Sequence, residues 1–169
     1  MTKSSKKLDG LFHDTLKDIY FAEKKILNTL PQMAKVARNQ ELKEAFEKHY
    51  GETEEHVERL EQVFAIIKQK PQGKTCAAIV GITDEGAEII TEYKGSPALD
   101  AGLLAAAQAV EHYEMSRYGT LRTWAAELGL TEAVTLLEET LEEEEATDAA
   151  LTKIAESVVN QEAQQEAAE

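Results

Sequence analysis

Two glutamates occupy places where an apolar helical stripe would carry leucine. Glu23 lies between Ile19 and Ile26–Leu27, in the middle of residues recurring at spacings of three and four. Glu114 lies equivalently among Ala107, Val110, Tyr118 and Leu121. A carboxylate carried into an apolar interior is costly unless it meets a partner or reaches water. A metal ion is one partner, because carboxylate oxygens ligate hard and borderline cations directly. A basic residue on a facing helix is the other, and Arg117 is a candidate. One such acid alone favours an ion pair. Two at matching places favour a shared site.

Further candidates lie on two other helical segments. The acidic run around Glu138, Glu139 and Glu142–Glu145 must be mostly solvated. Four consecutive residues nevertheless sweep most of a helix circumference. The stripe through Leu137, Leu141, Leu151 and Ile154 passes over Glu144, which should point inward. Glu143 lies nearer the edge, and Asp148 is a weaker candidate. Residues 49, 52, 53 and 56 share the inner half of the earlier segment. An imidazole and a carboxylate can therefore reach one ion through His49-x-x-Glu52 or Glu52-x-x-x-His56. Di-iron helical bundles use Glu-x-x-His, a frame that here puts Thr53 where the glutamate should precede His56. An inner histidine is more often a hydrogen-bonded core residue than a ligand, and His13 and His112 are assigned to that class or to the surface. Four carboxylates would balance the charge of two divalent ions and favour their oxidation. Iron or manganese is then the natural metal, two ions per chain, with O₂ or peroxide the natural oxidant.

The elements that must position these residues are helices. One pattern runs from about Leu8 to Val36, with Pro31 as a possible kink. After the short turn Asn39-Gln40 a second runs from near Glu41, carrying Phe46, Thr53, Val57, Leu60, Phe64 and Ile67 inward, until Pro71-Gln72-Gly73. Lys74 to Pro97 reads as a connection with a short helix starting at Thr83-Asp84-Glu85. A third long helix spans about Ala98 to Leu128, stopped by Gly129; Thr131 caps a fourth reaching about Val159. The tight first and last connections make two antiparallel hairpins. The long connection between them can cover a bundle helix of about 42 Å. One long crossover between two helical hairpins is the connectivity of a ferritin-like four-helix bundle. The expected organisation is one all-α domain over residues 1–160 and a frayed tail over 161–169, where no large apolar residue occurs. Shifting the chain by 91 residues places Glu23 on Glu114, Leu30 on Leu121, Glu52 on Glu143 and Leu60 on Leu151, so acids repeat together with apolar positions.

Composition narrows the function classes. The chain has 169 residues, few Gly (9) and Pro (3), and a formal charge of −14. Such a surface is repelled by nucleic acid and anionic membranes, so neither is an expected partner. Lys68, Lys70 and Lys74 are too small a basic cluster to reverse this. A single cysteine, Cys76, excludes an intrachain disulfide and any cysteine-cluster metal site; its small and apolar neighbours suggest burial. The basic start, Met1 to Lys7, lacks the apolar stretch of a signal peptide, and no apolar run spans a bilayer, so the cytoplasm is expected.

Several stretches also resemble the YciE/YciF family of bacterial ferritin-like stress proteins. They are Tyr20–Lys25, Phe46–Thr53, Ala106–Glu114, Tyr118–Leu121 and Thr140–Asp148, in order and across nearly the whole chain. The resemblance implies a ferritin-like bundle, a homodimer, a dinuclear metal centre and a role in general or osmotic stress. Carried over residue by residue it marks Glu23, Glu52, Glu111, Glu114, Glu143 and Glu144, with His49 beside them. His56 stays outside this set, because the family often has glutamine there. Gly51 stands where the family pattern usually has a glutamate. By helical phase Glu111 is placed less well than Glu114. The competing expectation is a non-enzymatic interaction protein whose inner acids pair with Lys, Arg or Tyr.

Overall fold

The computed structural model describes residues 7–165. The basic segment Met1–Lys6 and the last four residues of the expected tail therefore lie outside the described residues. Helix α1 spans Leu8–Val36, α2 Gln40–Ile66, α3 Ala77–Glu92, α4 Leu99–Glu127 and α5 Thr131–Ile154. A π-helical turn, Ala155–Val159, and a final helical turn, Asn160–Glu162, follow; among the described residues there is no strand.

Helix α1 packs on α2, α2 on α5, α5 on α4, and α4 back on α1, which closes a four-helix bundle. Helix α3 lies against α4 and α1, outside that ring. The molecule is thus two antiparallel hairpins joined by one long crossover, the ferritin-like connectivity expected. The crossover is held at several points. The Lys74 amide donates to the Lys17 carbonyl at 3.1 Å. Gly102 of α4 faces Ile89 of α3 so closely that a Cβ there would meet Ile89 Cγ2 at 2.6 Å. Between the hairpins, Asp100 of α4 accepts from the backbone amides of Arg38 (3.0 Å) and Asn39 (2.6 Å) in the α1–α2 turn. Asn39 in turn caps α2, its side chain accepting from the Leu42 amide at 3.1 Å. Gly129 ends α4 with a φ of +71°, a conformation glycine adopts without strain.

Two local expectations are corrected. Helix α3 starts at Ala77, not at Thr83. Thr83 is buried inside it, and its hydroxyl donates back to the Ile79 carbonyl at 2.8 Å, so it does not cap. Thr131 is the first residue of α5 rather than its cap, and Leu130 precedes it without a side-chain cap. The last helical turn ends at Glu162. The core has two apolar ends. Phe12, Leu16, Leu60 and Phe64 fill one, with Leu121 and Leu137; Leu30, Leu42, Phe46 and Leu103 lie toward the other. The layer between them is polar.

Candidate metal centre

Four carboxylates and two imidazoles meet in that middle layer. Glu23 (α1), His56 (α2), Glu114 (α4) and Glu144 (α5) are 0% exposed, Glu111 1% and His49 3%. Each comes from an apolar stripe at helical spacing, so packing the bundle carries them inward. Their donor atoms form two groups. One atom each from His49, Glu111, Glu114 and Glu144 lie within 4.8 Å of one another, as do those of Glu23, His56 and Glu144. Glu144 is common to both.

The internal contacts leave much unsatisfied. His56 Nδ1 lies 3.1 Å from Glu144 Oε1 and 3.5 Å from Glu23 Oε1, and its Nε2 is 2.9 Å from Glu143 Oε2. His49 Nε2 lies 3.3 Å from Glu111 Oε1. The buried Tyr118 hydroxyl donates to Glu23 Oε1. Both oxygens of Glu114, both of Glu144, one each of Glu23 and Glu111, and both ring nitrogens of His49 have no hydrogen-bond partner. Buried polar atoms are rarely left so in groups. No Lys or Arg among the described residues forms an ion pair with Glu23, Glu111, Glu114 or Glu144. Arg117, the sequence candidate for that role, instead lies over the Tyr113 ring, 5.3 Å from its centroid.

Electrostatics follows the crowding. Burial pushes the Glu111 and Glu114 carboxyls well above the usual carboxylate range, and the charge of Glu144 adds to the effect. Burial alone would lower His56, but the adjacent Glu144 and Glu23 carboxylates outweigh it and hold the imidazole up at about 11. Burial likewise opposes ionisation of Glu144, yet His56 and His49 keep its carboxyl below the ordinary value. Without cations, the cluster is balanced by protons.

Two sequence candidates sit at the rim instead. Glu52, 21% exposed, is paired with Lys48, and the neighbouring His49 imidazole, ahead of Lys48, depresses its carboxyl to about 2. Its inward Oε2 is 3.9 Å from His49 Nδ1 and has no partner. Glu143, 31% exposed, is held by Arg59 through Nη2 at 2.9 Å and Nη1 at 2.5 Å while touching His56. Glu143 stands behind His56 and orients its ring; Glu52 flanks His49 without a hydrogen bond to it. Asp148 is further out and accepts from Gln108 at 3.0 Å. His56, left out on sequence grounds, is the residue that joins Glu23 to Glu144. Helical phase places it on the inner face, and only the glutamine common at that position in the resembling family keeps it out of the expected set. Thr53 is fully buried and donates to the His49 carbonyl at 2.8 Å.

The comparisons with known proteins agree with this architecture. The family described as "Domain of unknown function (DUF892)" matches residues 7–164. The chain belongs to the DUF892 family. Protein YciF of Escherichia coli (strain K12) is 41% identical over 163 residues, 96% of this chain and 98% of that protein. The crystal structure of the E. coli stress protein YciF aligns with a TM-score of 0.87 at 42% identity, covering 92% of this chain and 98% of that one. YcfI from Rhodopseudomonas palustris also aligns at 0.87, with 41% identity over 92% of this chain and 99% of that one. The resemblance read from Tyr20–Lys25 and the later stretches is therefore correct. Within the helical-bundle frame, this DUF892 chain has the ligand inventory of a di-iron carboxylate centre, four glutamates and two histidines, in a different distribution. Both histidines are on α2 and two of the acids on α4, rather than one Glu-x-x-His on each. Among the described residues no helix is long and apolar enough to cross a membrane.

Proposed function

We propose that this protein is a di-metal stress protein that binds two iron or manganese ions per chain and oxidises Fe(II) or handles O₂ or peroxide. The observation that carries this is the set of buried, unpartnered donor atoms on Glu23, His49, Glu111, Glu114 and Glu144, converging without a lysine or arginine to neutralise them. The donors are carboxylate oxygen and imidazole nitrogen with no thiolate, which suits iron and manganese. Glu23, His56 and Glu144 would hold one ion; His49, Glu111 and Glu114, with Glu144 in common, the other. Bound there, such ions supply one-electron chemistry and activation of O₂ or peroxide. The protein's own part is to exclude water with its two apolar core ends and to keep the His56 imidazole oriented through Glu143. It also has to release protons from Glu111, Glu114 and His56 as cations arrive. The same reading includes a homodimer acting in the cytoplasm, with no membrane or nucleic-acid partner.

The competing reading, an interaction protein whose inner acids pair with Lys, Arg or Tyr, fits the rim pairs Lys48–Glu52 and Arg59–Glu143 and the Tyr118–Glu23 hydrogen bond, but leaves Glu111, Glu114 and Glu144 without such a partner. Anaerobic titration of metal-free protein with Fe(II) and with Mn(II), followed by O₂ or peroxide consumption of the iron-loaded form, tests the proposal. About two equivalents of tight binding and consumption of oxidant are expected. Less than about half an equivalent, with no consumption, overturns it.

A further inference from the structure

We infer that a dry cavity beside the metal centre docks a small apolar gas molecule, dioxygen being the one whose chemistry suits the neighbouring residues. The choice of dioxygen rests on the di-metal reading; binding of an apolar gas does not.

The cavity measures about 20 Å³ and lies among α1, α2, α4 and α5, beneath α3. By the same measure, room for one water begins at about 10–15 Å³. Its wall is almost entirely carbon, from side chains such as Ile26, Leu30, Ala107 and Leu151. Two of the wall's threonines add little polarity, because their hydroxyls are engaged with their own helices. Thr29 donates to the Lys25 carbonyl at 3.0 Å, and Thr83 to those of Ile79 and Val80 at 2.8 and 3.0 Å. A buried water needs about two to four polar partners, and a cavity without them stays dry and takes apolar guests. An apolar diatomic needs no such partners.

The position gives the cavity its meaning. The wall's ionisable residues are His49 and Glu111, both members of one donor group of the centre. A guest would therefore rest against the carbon atoms of these two residues, with their donor atoms turned away from the cavity. Thr83, from the crossover helix α3, contributes to the far wall. The crossover would thus close a gas site as well as join the hairpins.

The test uses the metal-free full-length protein under dissolved O₂, reading paramagnetic relaxation of assigned methyl groups. The methyls of Ile26, Leu30, Ala107 and Leu151 should relax several-fold faster than the equally buried Leu16, Ile19 and Val63. Ala107→Leu, which fills the space, should remove the excess, and the milder Ala107→Val should reduce it if the larger side chain prevents folding. Uniform relaxation across all buried methyls, or a high-resolution structure with an ordered water in the cavity, overturns the inference. No metal is needed, so this outcome stands apart from the metal titration. Failure to bind O₂ leaves metal binding untouched, and failure to bind metal leaves the cavity result standing.

Discussion

Replacing Glu114 by glutamine should make the metal-free protein more stable while weakening its hold on metal. Glu114 is fully buried, neither oxygen has a partner, and burial pushes its carboxyl well above the ordinary value of 4.5. In the unfolded chain at pH 7 this carboxyl ionises freely. Keeping it protonated in the folded state costs at most about 3 kcal/mol, from 1.36 kcal/mol per pH unit over the interval from 4.5 to 7. Glutamine is neutral at every pH and avoids that cost. Its amide can also donate to the unpartnered oxygens of Glu23 or Glu144. A gain of about 1–3 kcal/mol follows, or about 3–10 °C in Tm for a domain of this size. The sign depends on pH: a raised carboxyl means the folded state holds more protons, so the wild type loses stability as pH rises above 4.5. The advantage of glutamine should therefore shrink toward zero as pH falls to 4.5. Thermal melts of chelated protein between pH 4.5 and 8, with Mn(II) titrations on both forms, measure this. A destabilisation above about 1 kcal/mol at pH 7 with unchanged metal binding would mean that Glu114 is structural.

Other expectations follow from the same contacts. Metal binding should release protons, because His56 and the raised carboxyls of Glu111 and Glu114 must give them up; calorimetry in buffers of different ionisation enthalpy should find at least one proton per ion pair bound, and none would contradict the charge balance. His56, raised from 6.5 to about 11, contributes stability that is whole below pH 6.5 and is lost as pH climbs toward 11. The metal-free Tm should accordingly fall between pH 6.5 and 10, while a flat profile would count against an imidazolium there. Loading with Mn(II) at a hundredfold excess over Kd should raise stability by about 2.7 kcal/mol per independent site, and chelator should reverse it. Asp100→Ala should cost about 1–3 kcal/mol by stranding the Arg38 and Asn39 amides between the hairpins, with no change in metal stoichiometry; denaturant melts showing less than about 0.5 kcal/mol would refute that role.

Much of the fold was legible because helix phase is a strong signal in long, periodic segments. The span Leu8–Val36 and the stop at Gly129 needed no tertiary information. The start of α3 did need it. Ile79 is buried against neighbouring helices, and that burial extends the helix ahead of a threonine that locally resembles a cap. The interior of the site was legible where an acid interrupts an apolar stripe, as at Glu23, Glu114 and Glu144. The rim was less so. Glu143 and Glu144 are adjacent; helix phase puts Glu143 nearer the edge, but the Arg59 side chain that holds it there arrives from another helix. His56 is set aside on the family resemblance although helix phase puts it inside; the carboxylates that meet it, Glu23 and Glu144, come from α1 and α5, and no spacing rule on α2 reveals them.

The central claim is that the buried acids exist to hold cations. Anomalous diffraction at the iron or manganese edge, on crystals of protein loaded with that metal, tests it most directly. Two peaks are expected per chain, one among His49, Glu111, Glu114 and Glu144 and one among Glu23, His56 and Glu144. An interior without either peak, with metal only at surface acids, would contradict the account.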